Sequence, residues 1–140
     1  MDQLEKKVIY TGKTRTVGGR DGGSSASSDG RLDIDFSVPG TPGTGTNPEQ
    51  LLAAGWSACF IGAMGVEARR RRISLPSDTA VDAEVDLCQS SDGYSLKARL
   101  SISLPGLEAD VAQGLAEAGH QTCPYSKALK DSTEVVIRVI

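Results

Sequence analysis

Aromatic side chains are scarce in this chain of 140 residues: two phenylalanines, one tryptophan and three tyrosines. None is interleaved with a run of basic residues, which excludes a stacking platform for single-stranded nucleic acid. Positive charge is not in excess either. Fifteen Lys and Arg stand against eighteen Asp and Glu, a net charge of −3, so a general electrostatic grip on nucleic acid is not expected. The three cysteines are too few, and odd in number, for the disulfide framework of a small secreted domain. The opening residues, Met1 to Lys7, lack the apolar core of a signal peptide. The longest uncharged apolar stretch, Leu51 to Val66, is 16 residues long and holds Gly55, Gly62 and Gly65. It falls short of the ~20 apolar residues of a membrane span. The expectation is a soluble protein of a reducing compartment, the cytoplasm, in which cysteines matter for chemistry more than for cross-linking. One histidine cannot anchor a four-ligand zinc site with what lies near it, so no metal is expected.

What is present is an ordinary globular composition, with 39% hydrophobic residues and 16 glycines. The length predicts a single domain over residues 1–140. Lys7 to Val17 reads as a strand, closed by the glycine turn around Arg20 and Asp21. Ser24 to Gly30 is its partner or loop. Leu32, Ile34 and Phe36 alternate with polar residues as a half-buried strand does. Val38 to Thr46, rich in proline and glycine, should be irregular. Asn47 and Pro48 suit a helix start, with Glu49 in the first turn. The following segment to Val66 is apolar or small on every side, which predicts a helix buried all round. Val81 to Cys88 and Tyr94 to Leu104 form a hairpin across Ser90–Gly93. Leu107 to His120 predicts a helix with Leu107, Val111, Leu115 and Ala118 inward. Tyr125 to Lys130 is a short helix, and Val135, Ile137 and Val139 mark a last strand. The order βββ–α–ββ–αα–β, with its strands grouped, predicts an α+β fold with antiparallel pairing. One small sheet cannot cover so apolar a helix. A second copy of the chain would.

Taken singly, the candidate residues stay ambiguous. Cys59 lies mid-helix in the most apolar segment, where a thiol is a small hydrophobe of raised pKa. Cys123 precedes Pro124 at the start of a short helix, a position that lowers a thiol pKa. Cys88 ends a strand and reads as incidental. His120 sits at a helix end, where the dipole favours a cation. Arg69 to Arg72 reads as a solvated helix end. The loop Gly40 to Gly45 lacks the Gly-Lys-Ser/Thr ending of a phosphate loop. Arg20 and Glu49 alone are surface or cap residues, and gain interest only if a thiol needs a cation and the cation needs an anchor.

Together these residues form a pattern. Asn47-Pro48-Glu49-Gln50-Leu51, then Ser57-Ala58-Cys59-Phe60, then His120-Gln121-Thr122-Cys123-Pro124-Tyr125-Ser126, with Gly18 to Gly22 upstream, resemble the organic hydroperoxide resistance (Ohr) family of the OsmC-like superfamily. The resemblance covers nearly the whole chain. It implies an OsmC-like α+β fold, with two antiparallel-rich sheets around long buried helices in an intertwined homodimer. It implies a thiol peroxidase for organic hydroperoxides, with no bound cofactor, reduced by the dithiol of lipoylated proteins. By motif match Cys59 is the peroxidatic and Cys123 the resolving cysteine, while Arg20 stabilises thiolate and peroxide and Glu49 orients Arg20. Trp56 stands where the family more often has tyrosine. Leu51, Leu52, Trp56, Phe60 and Ile61 are expected to supply an apolar wall for the substrate. Two other readings are a related thiol peroxidase that prefers hydrogen peroxide and a non-catalytic ligand-binding stress domain.

Overall fold

The structure, a computed structural model, describes residues 5–140. The element order is βββ–α–ββ–αα–β, as the periodicities predict. By its internal contacts the chain divides into two units, residues 1–48 and 49–140.

The first unit is a small antiparallel sheet: β1 (Thr14–Val17), β2 (Ser24–Ser27) and β3 (Asp33–Asp35), in that order. Val17 pairs with Ser24, and Ser24 with Asp35. The strand expected from Lys7 is shorter than predicted, because pairing with β2 begins at Thr14↔Ser27 and β2 ends there. A lone strand has no ladder. Val8, Ile9 and Tyr10 are accordingly exposed. Leu32, Ile34 and Phe36 alternate inward against exposed Asp33 and Asp35, and the loop before Thr46 is irregular apart from a bridge between Phe36 and Thr46.

The second unit opens with α1 (Pro48–Arg70), followed by the hairpin β4 (Ala80–Ser90) and β5 (Gly93–Ser103), then α2 (Ala109–Thr122), α3 (Pro124–Leu129) and β6 (Glu134–Val139). The sheet order is β4-β5-β6. β4 and β5 pair antiparallel, as expected of an antiparallel-rich fold, and β6 runs parallel to β5. The two helices that separate β5 from β6 supply the crossover a parallel pair needs.

Within one chain α1 is buried along one stripe only, as expected of a helix that one small sheet cannot cover. Its buried residues are Trp56, Phe60, Met64 and Ala68, one stripe at four-residue spacing. Ala54, Ala58, Gly62 and Val66 are exposed. The 3.6-residue repeat turns only one stripe toward a given neighbour. That stripe joins Ala98, Leu100 and Ile102 of β5 and Ala112, Leu115 and Ala116 of α2 in one core. At 23 residues α1 is long and apolar enough for a membrane span by length and composition, longer than the 16-residue stretch suggested. Its packed stripe is the feature of a core helix.

α2 begins at Ala109. Leu115 is buried and Leu107 and Val111 pack against the core as expected, and the buried face extends to Ala112, Ala116 and Gly119. The small residues set how closely the helix packs. A Cβ on Gly119 would lie 2.7 Å from Met64 Cγ and 3.0 Å from Phe60 Cε1. The bare backbone lets the end of α2 approach α1 closely beside Cys59. The outer end of the β4–β5 hairpin leaves the core, so Leu87 is 47% exposed although alternation predicts it inward. On the opposite face of the sheet Arg99 makes a bidentate contact to Asp86 at 2.8 Å and another to Glu84 at 3.1 Å.

Candidate active site

The redox-capable atoms lie where α1, the end of α2 and the start of α3 meet. Cys59 is half-buried on α1. Cys123 is fully buried and separates α2 from α3. Both are free thiols, and they are neighbours close enough for Cys123 to act on the Cys59 sulfur. Pro124 opens α3 and brings no N–H, so the first donor of that helix is the main-chain N–H of Tyr125. It lies near enough to the Cys59 sulfur to favour the thiolate.

Three influences act on the Cys59 thiol. Burial is the largest and pushes its pKa up. The Tyr125 N–H opposes this by stabilising the thiolate. Cys123 adds to the upward push, both as a partner of the neutral thiol and as a like charge. The net result lies above the ordinary thiol value. The N–H of Tyr125, in the first turn of α3, acts on Cys59, the residue across from it.

Cys59 opens onto a depression of about 320 Å³ lined by Gly62, Ala63, Val66, Thr122 and Pro124. A second, strongly apolar depression of about 400 Å³ is lined by Leu52, Pro124, Tyr125, Ala128 and Leu129. Pro124 borders both. Of the five residues expected to form an apolar wall, Leu52 lines the second depression, and Leu51 and Ile61 are half-buried. Trp56 and Phe60 are instead core residues with no exposed surface, because they lie on the inward stripe of α1. The Trp56 indole N–H donates to Ser126 Oγ at 2.9 Å, inside the protein. Phe60 stacks with the His120 imidazole, centroids 6.4 Å apart.

His120 does not behave as a helix-end cation. Burial, and secondarily Lys130, hold its pKa below the ordinary value, and its Nδ1 is buried with no hydrogen-bond partner. Glu49 stands in the first turn of α1. Arg20 lies in the glycine turn after β1, about one-third exposed, with its Nε 4.0 Å from an Asp21 carboxylate oxygen. Cys88 is half-buried on β4, opposite Ser95. Arg70 and Arg71 at the end of α1 contact Glu67 at 3.2 and 3.3 Å. No cluster of three His, Cys, Asp or Glu side chains is found among the described residues.

Sequence reasoning missed the Tyr125 N–H and the Trp56–Ser126 bond. The first had a signal. Proline at a helix's first position leaves the next N–H as an orphan donor. The second had none, since nothing local links residues 70 apart in sequence.

The model of the family described as OsmC-like protein matches residues 40–138. The organic hydroperoxide resistance protein of Xanthomonas axonopodis pv. citri is 40% identical over 94% of this chain and 95% of its own. OhrA of Bacillus subtilis is 35% identical over 94% and 96%. The crystal structure of OhrB from Bacillus subtilis superposes with a TM-score of 0.88 at 36% identity, covering 95% of this chain and all of that one. The motifs around Cys59 and Cys123, the α+β architecture and these near-full-length matches agree: the chain belongs to the organic hydroperoxide resistance family of OsmC-like proteins.

Proposed function

We propose that this protein is a cysteine peroxidase that reduces organic hydroperoxides to alcohols. The observation that carries the reading is the asymmetry of the two thiols. Cys59 borders an open depression, whereas Cys123 is fully buried beside it. A peroxide reaches the first and not the second. The Cys59 thiolate attacks the distal peroxide oxygen and the O–O bond breaks. The alkoxide takes up the proton that the Cys59 thiol released on ionising and leaves as the alcohol, and Cys59 becomes a sulfenic acid, oxidised by two electrons. The Cys123 thiol then displaces water from that sulfur and forms the Cys59–Cys123 disulfide. An external dithiol, which we assign to a lipoyl group, returns both to thiols by exchange.

The chemistry needs a cation. Burial disfavours the Cys59 thiolate, and one N–H donor opposes it. We assign the cation to Arg20, whose planar guanidinium suits both a thiolate and the oxygen on which charge develops. Glu49 is assigned to orient Arg20 by a charge-assisted contact. α1 is continuous from Pro48 to Arg70, and ten residues of helix separate Glu49 from Cys59, ~15 Å along the axis. Glu49 therefore serves the Cys59 of another copy, which makes the working unit a homodimer with two shared sites. The exposed small-residue face of α1 suits such an arrangement. Thiol turnover of this kind belongs in a reducing compartment, the cytoplasm.

The two apolar depressions favour bulky hydroperoxides over hydrogen peroxide. Each buried methylene is worth ~0.8 kcal/mol, about fourfold in kcat/KM. The test is steady-state turnover of an alkyl hydroperoxide and of hydrogen peroxide with dihydrolipoamide as reductant. The alkyl substrate should win by at least about tenfold, Cys59→Ser should abolish turnover, and Cys123→Ser should stall after one oxidation with Cys59 over-oxidised. Turnover surviving in Cys59→Ser would overturn the reading. Equal kcat/KM for both peroxides would move it to a hydrogen peroxide enzyme, and a Cys59 inert to thiol reagents in the folded protein to a binding domain.

A further inference from the structure

Three contacts join the first turn of α3 to one short stretch of α1, and each uses a different chemical group. The Tyr125 N–H acts on the Cys59 sulfur and favours its thiolate. The Tyr125 ring lies over bare backbone at Gly55, where a Cβ would stand 2.9 Å from Oη and 3.3 Å from Cζ. The Trp56 N–H donates to Ser126 Oγ at 2.9 Å. The first two contacts lie toward solvent, since Tyr125 is 41% exposed and Cys59 half-buried. The third is interior, and both of its residues have no exposed surface. Trp56 is three residues before Cys59 and Ser126 three residues after Cys123. On helices that is one turn from each sulfur-bearing residue.

A disulfide forms only when the two Cα atoms come within ~4.4–6.8 Å and the Cβ vectors face each other. Helices that merely pack side by side slide by fractions of an ångström. A buried directional bond does not permit this, because an indole N–H has no second use and its burial without an acceptor is costly. We propose that Trp56 and Ser126 are positioning residues: their buried hydrogen bond holds the start of α3 in register with α1, so that Cys123 and the Tyr125 N–H both face Cys59. The inference rests on the reading of Cys59 and Cys123 as a redox pair. It gives Trp56 a role other than that of a substrate wall.

The test uses Trp56→Phe, which keeps an aromatic ring without the donor, Ser126→Ala, which removes the acceptor, and the double variant, all in a Cys88→Ser chain. Cys59 is first converted to its mixed disulfide with glutathione. The release of glutathione by Cys123, which forms the Cys59–Cys123 bond, is then timed by quenched mass spectrometry. Ultraviolet thiolate absorbance gives the titration of Cys59. Each single variant should slow the internal step about five- to tenfold, the size of one lost hydrogen bond. Each should also move the Cys59 titration to higher pH, because the Tyr125 N–H is no longer held. The double variant should be no slower than the slower single one, since both remove the same bond. A merely structural bond would lower the melting temperature and leave rate and titration untouched. Wild-type rates and titration in both folded single variants, or additive losses in the double, would overturn the inference alone. A wild-type chain that forms no Cys59–Cys123 disulfide would overturn the redox pair itself, and the inference with it.

Discussion

The two units of the chain differ sharply in how much they bury. Between residues 5 and 48 only Gly23, Ser25 and Phe36 are buried, whereas residues 49–140 enclose a core of one tryptophan, one phenylalanine, Met64 and the aliphatic residues of β5 and α2. Cys123 belongs to that core, and Cys59 packs against it. The thiols thus sit on a scaffold held by hydrophobic packing, which is dense and resists displacement. Arg20 sits in a unit with little packing of its own. What fixes its loop is backbone geometry: Gly18, Gly19 and Gly22 take positive φ, and the Gly23 N–H bonds the Gly19 carbonyl at 3.0 Å. The proposed nucleophile and its proposed cation are therefore held by different kinds of force, and substitutions can separate them.

The largest effect tests the packing side. Phe60→Ala should cost about 3–5 kcal/mol, the usual cost for a fully buried ring. Phe36→Ala, with few buried neighbours, should cost about 1–2 kcal/mol, an ordinary loss. Urea unfolding of both variants reads the difference. Equal losses would mean that the β1–β3 sheet is packed in solution against more than its own unit, as a second copy would do. A smaller stability effect, but a clear kinetic one, should follow Gly23→Ala. A Cβ there would lie 2.1 Å from the Val17 carbonyl oxygen and 2.5 Å from that of Gly19. The turn must open, and Arg20 loses its fixed place. We expect kcat/KM for an alkyl hydroperoxide to fall at least about tenfold, as in Arg20→Ala, with disulfide formation by glutathione unchanged. Full activity in Gly23→Ala would detach Arg20 from the chemistry.

The same contrast explains what the sequence could reveal. Elements whose signals are local were legible: the alternation of Leu32, Ile34 and Phe36, the helix start at Pro48, the turn before Gly93. Features set by neighbours were not. Lys7 to Thr11 carries strand-like residues but no partner strand. The buried face of α2 extends to Gly119, which admits Met64, and no pattern within α2 states that. The parallel β6 could not be read from its own alternation, which is the same in either direction. At the site, the motifs singled out both cysteines, while local chemistry assigned the activating helix start to Cys123 itself. The Tyr125 N–H acts on Cys59 across the helix junction. A sequence names the donor of a helix start, but only packing chooses the atom that receives it.

The smallest expected effect concerns pH, and it belongs to the packed unit alone because the chain's single histidine is His120. Its pKa is depressed, first by burial and then by Lys130, and the buried Nδ1 has no partner. A depressed native pKa means that the unfolded chain binds the proton more readily. Stability then rises with pH wherever the unfolded state holds more protons. The stability that neutral His120 contributes is full above the ordinary value of 6.5 and is lost as pH falls through the lower native value. Protonation would also put a charge beside the Phe60 ring, against the end of α2 that carries Cys123. His120→Gln, which cannot ionise, should therefore hold its urea midpoint better than the wild type as pH is lowered from about 7 to about 5, the range in which a histidine titrates. The carboxylates titrate alike in both chains, so the difference between the two curves isolates the imidazole. Parallel curves would show that His120 reaches solvent readily enough to charge without cost, and that burial at the α1–α2 contact is looser than the Phe60 stack implies.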